Sequence, residues 1–276
     1  MKKIRFILLS CIAMLMLGSC ATTSKVPITG RKQRLSVSDE QILSLSASQY
    51  KQYLASAKKS TNAANTAMVQ RVGQNLANAV ISYLSNNGYA HEVKNYAWEF
   101  NLVQNNSVNA FCMPGGKIVV YEGMLPVTQD EASLAIVLGH EIAHAVAKHS
   151  AEQMSKQNNQ SILASIGTSI LGAKMGQNAA EVAASLASTG LTFLNAHYSR
   201  DNESEADHMG LIFAAMAGYN PNTALTFWQR MSQASSGGAS SGGLQSYLSS
   251  HPSDTKRVSD IKKWLPEAMQ YYNAGK

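Results

Sequence analysis

Apolar positions recur at helical spacing through most of the chain, interrupted near the middle by a short interval of alternation. From Ser38 to about Lys59, Ile42, Leu43, Leu45, Tyr50, Tyr53 and Leu54 form one face. Ser38 is placed to cap this helix, and Glu40 and Gln41 fall in its first turn. A second helix is predicted over about Ala67–Leu84, carried by Met68, Val72, Leu76, Val80 and Tyr83 and stopped at Asn86-Asn87-Gly88. At Ala97 the period changes: Trp98, Phe100 and Leu102 alternate with polar neighbours and predict a strand. A polar turn, Asn105-Asn106-Ser107, leads to Val108–Met113, the tight turn Pro114-Gly115-Gly116 and the β-branched strand Lys117–Tyr121. Beyond Thr128 the pattern is helical to the end. Helices are expected near Asp130–Lys148, Ser161–Ala173, Ala179–Ala196, Asn202–Ala217 and Pro221–Ala234, with a last one over about Asp254–Tyr272 after the flexible Gly/Ser tract Ser235–Gly243. Two stretches within these, Ile162–Ala173 and Ala179–Leu194, are rich in small residues, under 18 residues long and broken by Ser, Thr and Glu, so they read as closely packed helices rather than membrane spans. The expected class is α+β and predominantly helical.

The first 20 residues follow a different logic. A basic start, Lys2-Lys3-Ile4-Arg5, precedes an apolar run from Phe6 to Leu17. At about 1.5 Å per residue that run falls well short of a hydrocarbon core of roughly 30 Å, so it reads as a signal peptide, residues 1–19. Leu17-Gly18-Ser19-Cys20 resembles the bacterial lipobox, in which the cysteine is lipidated. Residues 20–35, polar and containing Pro27 and Gly30, then read as a lipidated tether, and 36–276 as the domain. The expected location is the cell envelope, held by lipid, with the outer membrane facing the periplasm as the favoured surface. Of three cysteines, Cys11 leaves with the signal and Cys20 takes the lipid, so Cys112 has no intramolecular partner. Lys2, Lys3 and Arg5 account for half of the net charge of +6, and no Lys/Arg stripe follows, which argues against a nucleic-acid partner.

The chemistry is carried by His140-Glu141-Ile142-Ala143-His144, inside the helical run that starts at Asp130. Positions four apart on a helix differ by about 40° of rotation, so His140 and His144 share a face and two neutral imidazoles can bind one Zn²⁺. Glu141, turned by about 100°, is suited to take a proton from water rather than to ligate. A catalytic zinc needs a third protein ligand, and Glu203 and Asp207 share one face of a later helix. Glu203 is the expected ligand and Asp207 the acceptor for the free N–H of a ligand imidazole. Glu205 points about 200° away from Glu203, and choosing it as the ligand would strand Asp207. His149, five residues after His144, lies about 140° round the helix and reads as structural, and His208 as a packing or solvated residue. Cys112, near the predicted strands and flanked by apolar residues, reads as buried filler rather than a nucleophile.

Five ordered blocks together resemble the family 48 zinc metallopeptidases: Pro27-Ile28-Thr29-Gly30-Arg31; Asn109-Ala110-Phe111 with Pro114-Gly115-Gly116; His140–His144; Ser199-Arg200 with Glu203–Asp207; and His251-Pro252 with Arg257. The resemblance implies a glutamate-type zincin: one Zn²⁺ per chain, a small β-sheet beside the active-site helix, and an edge strand that binds substrate. Asn109, Lys117, Ile118, Val119 and Val120 are the residues expected on that edge. It also implies endopeptidase activity on misfolded or misassembled envelope and outer-membrane proteins, and a His251 near the open position that holds the enzyme latent. Arg257 and Tyr198 are weaker candidates for transition-state stabilisation. Some family members carry a C-terminal array of helical repeats, and none follows Lys276 here, so recognition through repeats is not expected. The competing expectation is a non-proteolytic or latched assembly factor for outer-membrane proteins. Oligomeric state is left open.

Overall fold

A computed structural model describes residues 22–157, 193, 197–236, 242–251 and 255–275. The signal sequence, Cys20, the helix expected over Ser161–Ala173, nearly all of that expected over Ala179–Ala196 and most of the Gly/Ser tract lie outside these residues.

Residues 22–35, expected as part of the tether, form an antiparallel hairpin of β1 (Thr22–Lys25) and β2 (Lys32–Leu35), with Val26 and Leu35 buried. The alternation of β2 is hidden in the sequence because one of its two inward positions is polar, Gln33, which is buried too. Helix α1 (Asp39–Ser56) starts at the expected cap: Ser38 Oγ accepts from Gln41 N at 3.2 Å, and Gln41 Oε1 accepts from Ser38 N at 2.9 Å. Helix α2 (Ala63–Asn86) starts earlier than expected because Asn62 caps it, its side chain accepting from Asn65 N at 2.9 Å. Its inward face is Val69, Val72, Leu76 and Val80, all fully buried.

Three strands follow: β3 (Glu99–Val103), β4 (Ala110–Met113) and β5 (Lys117–Tyr121). Their order is β3-β5-β4, with β5 parallel to β3 and antiparallel to β4. Both faces of this sheet are covered. Leu102, Ala110, Cys112, Ile118 and Val120 join the main core, whereas Val103, Phe111, Met113 and Val119 join a smaller cluster with Ile42 and Tyr50 of α1. The strand expected to be a free edge, Lys117–Tyr121, is therefore the central one. Its run Ile118-Val119-Val120, apolar on both faces, is what a doubly covered central strand requires.

Helix α3 (Glu131–Val146), capped by Asp130, which accepts from Ser133 N at 2.6 Å, runs through the core, and residues 133–146 are all buried. It lies against β4 and crosses α4 (Arg200–Met216). The crossing is glycine on glycine. A Cβ on Gly139 would stand 2.7 Å from the carbonyl oxygen of Gly210, and one on Gly210 would stand 2.6 Å from the backbone nitrogen of His140. Helices α5 (Thr223–Ser236), α6 (Gly242–Ser250) and α7 (Thr255–Ala274) close the far side, where Phe227, Trp228 and Tyr247 are fully buried. Among the described residues no helix is long and apolar enough to cross a membrane.

Candidate metal centre

His140 and His144 sit one turn apart on the buried face of α3, and α4 brings Glu203 to them because the glycine pair lets the two backbones touch. The two imidazole Nε2 atoms are 3.1 Å apart. Glu203 Oε2 lies 3.4 Å from His140 Nε2, and Glu203 Oε1 lies 3.3 Å from His144 Nε2. His251, just past α6, joins them: its Nδ1 is 3.2 Å from His140 Nε2 and 3.0 Å from Glu203 Oε2. These four side chains are the group of His and carboxylate residues, among the described ones, that can hold a metal ion. A tetrahedron with bonds of about 2.0–2.1 Å to zinc has edges of about 3.3–3.4 Å, so the donor spacing fits that ion.

Glu203 Oε1 and Glu141 Oε1 are both buried without a hydrogen-bond partner, a costly state for carboxylate oxygens unless a cation or water meets them. Glu141, Glu203 and Asp207, when ionised, place three buried negative charges around one guanidinium, Arg257. One divalent cation balances the difference. Burial pushes Glu203 up, but the imidazoles of His140, His144 and His251 gathered around it outweigh this and hold it well below the usual carboxylate range. Burial pushes His144 well down, which favours the neutral ring a metal needs. Burial also raises Glu141, as befits a group that must accept a proton and release it again.

Each imidazole is oriented from behind. His140 Nδ1 is 2.8 Å from Asp207 Oδ1, and Arg257 donates to the same oxygen at 2.6 Å while lying 3.4 Å over the Trp228 ring. His144 is backed by His149, their Nδ1 atoms 2.8 Å apart, and its ring stacks on Tyr198 with centroids separated by 4.1 Å. The 140° placement of His149 assumed that the helix continues. Instead α3 ends at Val146, and Lys148 takes a positive φ of 56° before the chain turns helical again over 149–157. That conformation, unfavourable for a side chain with a Cβ, is held by Lys148 Nζ, which donates to both oxygens of Asp39 and to Glu92 Oε1, all at 2.9 Å. The turn brings His149 under His144.

Glu205 lies on the other side of α4 from Glu203 and bonds His149 instead of the cluster. His208 bonds Glu267 at 2.7 Å and stacks on Trp264, a packing role. Burial raises the Cys112 thiol well up, with the Glu141 charge adding to it, so the neutral thiol is favoured.

The free edge nearest the site is β4. Tyr121 N donates to Asn109 O at 3.0 Å, so Asn109, Phe111 and Met113 bond inward to β5. The backbone N–H and C=O of Ala110 and Cys112 therefore point outward, and no backbone group among the described residues pairs with them. Asn109 immediately precedes this edge; Lys117, Ile118, Val119 and Val120 lie one strand behind it.

A buried helix bearing His140, Glu141 and His144, crossed by a helix that delivers a carboxylate, is the arrangement of glutamate-type zinc metallopeptidases. The sequence profile of Peptidase family M48 matches residues 63–265, and the chain belongs to that family. It is 38% identical over 173 residues to the mitochondrial metalloendopeptidase OMA1 of Schizosaccharomyces pombe, covering 62% of this chain and 48% of the relative. Against human mitochondrial metalloendopeptidase OMA1 it is 29% identical over 248 residues, 88% of this chain and 46% of the relative. Against the beta-barrel assembly-enhancing protease of Yersinia pestis it is 29% identical over 170 residues, 60% of this chain and 34% of the relative. The chain spans about half the length of these relatives, or less.

Proposed function

We propose that this protein is a zinc-dependent endopeptidase that cleaves non-native protein segments at an envelope membrane. The observation that carries the reading is the set of three donor atoms from His140, His144 and Glu203 beside the buried, unpartnered Oε1 of Glu141. His140, His144 and Glu203 would hold the ion. Zinc in such a site supplies a Lewis acid that polarises a carbonyl and acidifies water. Glu141 takes the proton of the attacking water on a carboxylate oxygen and passes it to the leaving amine. Asp207, braced by Arg257, holds His140 in orientation. An extended peptide adds to the outward groups of Ala110 and Cys112 on β4, a mode that reads backbone more than sequence and suits unfolded chains.

His251 lies in the donor set itself, which supports a resting form whose fourth position is closed until His251 withdraws. The lipobox at Cys20 supports lipid attachment, and the named activity of the bacterial relatives, beta-barrel assembly enhancement, supports misassembled outer-membrane proteins as substrates. Glu141→Gln should abolish cleavage of casein and of envelope proteins while leaving bound zinc unchanged. Undiminished cleavage in that variant refutes the assignment.

A further inference from the structure

The turn Pro27–Arg31 takes no part in the chemistry above, yet its side chains reach the groups behind the metal cluster. Thr29 Oγ1 donates to Glu205 Oε1 at 2.6 Å, and Arg31 Nε donates to Glu205 Oε2 at 2.8 Å. The remaining Arg31 nitrogens reach the two oxygens of Glu152 at 3.3 and 3.0 Å. Val26, fully buried, anchors the turn, and Gly30 at φ 65° lets it close.

The hydrogens along this chain can be assigned in order. Both oxygens of Glu205 are occupied as acceptors, Oε1 by the Thr29 hydroxyl and Oε2 by the Arg31 guanidinium, the setting of a carboxylate. A carboxylate only accepts, so His149 Nε2, 2.9 Å from Glu205 Oε2, carries a hydrogen. A neutral imidazole has one such hydrogen, here on Nε2, and the 2.8 Å between His149 Nδ1 and His144 Nδ1 has room for one hydrogen between the two nitrogens. Nδ1 of His149 is then the acceptor in its 2.8 Å contact with His144, and the hydrogen there belongs to His144 Nδ1. His144 Nε2 is left with its lone pair directed at Glu203 and His140.

We propose that the Pro27–Arg31 turn, acting through Glu205 and His149, is a positioning element of the metal centre that fixes His144 in the tautomer offering Nε2 to zinc. The inference rests on reading the cluster as a zinc site. Thr29, Arg31, Glu205 and His149 touch neither metal nor substrate; they act through His144. Without an acceptor at position 205, His149 can place its hydrogen on Nδ1, which drives the hydrogen of His144 onto Nε2, the atom the metal requires. The segment that leads out of the N-terminal region thereby sets the affinity of the active site.

The test measures zinc affinity of the full chain by competition with a chromophoric chelator, together with the visible absorption of the cobalt-substituted protein. Glu205→Ala should weaken zinc by about ten- to a hundredfold and alter the cobalt bands. Glu205→Gln, whose amide oxygen still accepts from His149, should recover most of the affinity. Thr29→Val and Arg31→Gln, at the outer end and tolerant of folding, should weaken zinc by roughly three- to tenfold. Arg31→Gln combined with Glu205→Ala should be no worse than Glu205→Ala alone, because both act through one path. Wild-type affinity and cobalt bands in Arg31→Gln and Thr29→Val overturn the proposal, even if Glu205→Ala does not fold. A parent chain that takes up no zinc overturns the metal reading, and this proposal with it, whereas unchanged variants of a zinc-binding chain overturn the positioning role alone.

Discussion

Replacing Gly210 by alanine tests whether the helix crossing, rather than the ligands alone, builds the site. The added Cβ would stand 2.6 Å from His140 N, 2.7 Å from Gly139 C and 2.8 Å from His140 Cα. These are backbone atoms, so no rotamer change relieves the contact, and α4 must retreat by about 1 Å to reach ordinary van der Waals separation. Overpacking of this kind costs about 1–3 kcal/mol, and the absence of a flexible neighbour puts Gly210→Ala at the upper end. For a domain of this size that lowers Tm by roughly 6–12 °C. Glu203 lies seven residues before Gly210, two turns along the same face, so the retreat carries its carboxylate away from the imidazoles. Metal sites tolerate about 0.2 Å, and zinc affinity should therefore fall by at least about tenfold. Thermal unfolding with and without chelator, paired with competition titration, reads both effects. A Gly210→Ala protein with unchanged Tm and unchanged zinc affinity would refute the reasoning.

His251→Ala should raise peptidase activity several-fold if the side chain closes the fourth position, and a loss of activity would instead give His251 a part in the reaction. The charge of Glu205 should show in acid unfolding. Its folded value near 2 lies below an unfolded value of about 4.5, so its contribution is present above pH 4.5 and disappears as the pH falls towards 2. In zinc-free protein, Glu205→Gln should lack this component, at most about 3 kcal/mol, and an identical acid transition in both proteins contradicts it. Cys20→Ala should move the protein from the membrane fraction to the soluble one, and retention on the membrane would count against a lipid anchor.

The residues that meet in the centre were readable wherever a helical period connected them. His140 with His144 and Glu203 with Asp207 are each four apart, and in both pairs the structure puts the two side chains on one face. Legibility ended where a local period was broken. The positive φ of Lys148 resets the direction of the chain, so His149 backs His144 instead of facing away, and the ion pairs that hold Lys148 come from Asp39 and Glu92, far along the chain. The Pro27–Arg31 turn meets Glu205 across more than 170 residues, a contact no periodicity encodes. The sheet order differs from the expected one, although the sequence carries a signal for it. Ile118-Val119-Val120 is apolar on both faces, which marks a covered central strand, while the short β4 carries the open edge.

The most direct test of the account is anomalous diffraction at the zinc edge from crystals of the zinc-loaded full chain. One peak is expected, about 2.0–2.2 Å from His140 Nε2, His144 Nε2 and an oxygen of Glu203. No peak among these three side chains, or a zinc bound by other residues with Glu203 turned away, would contradict it.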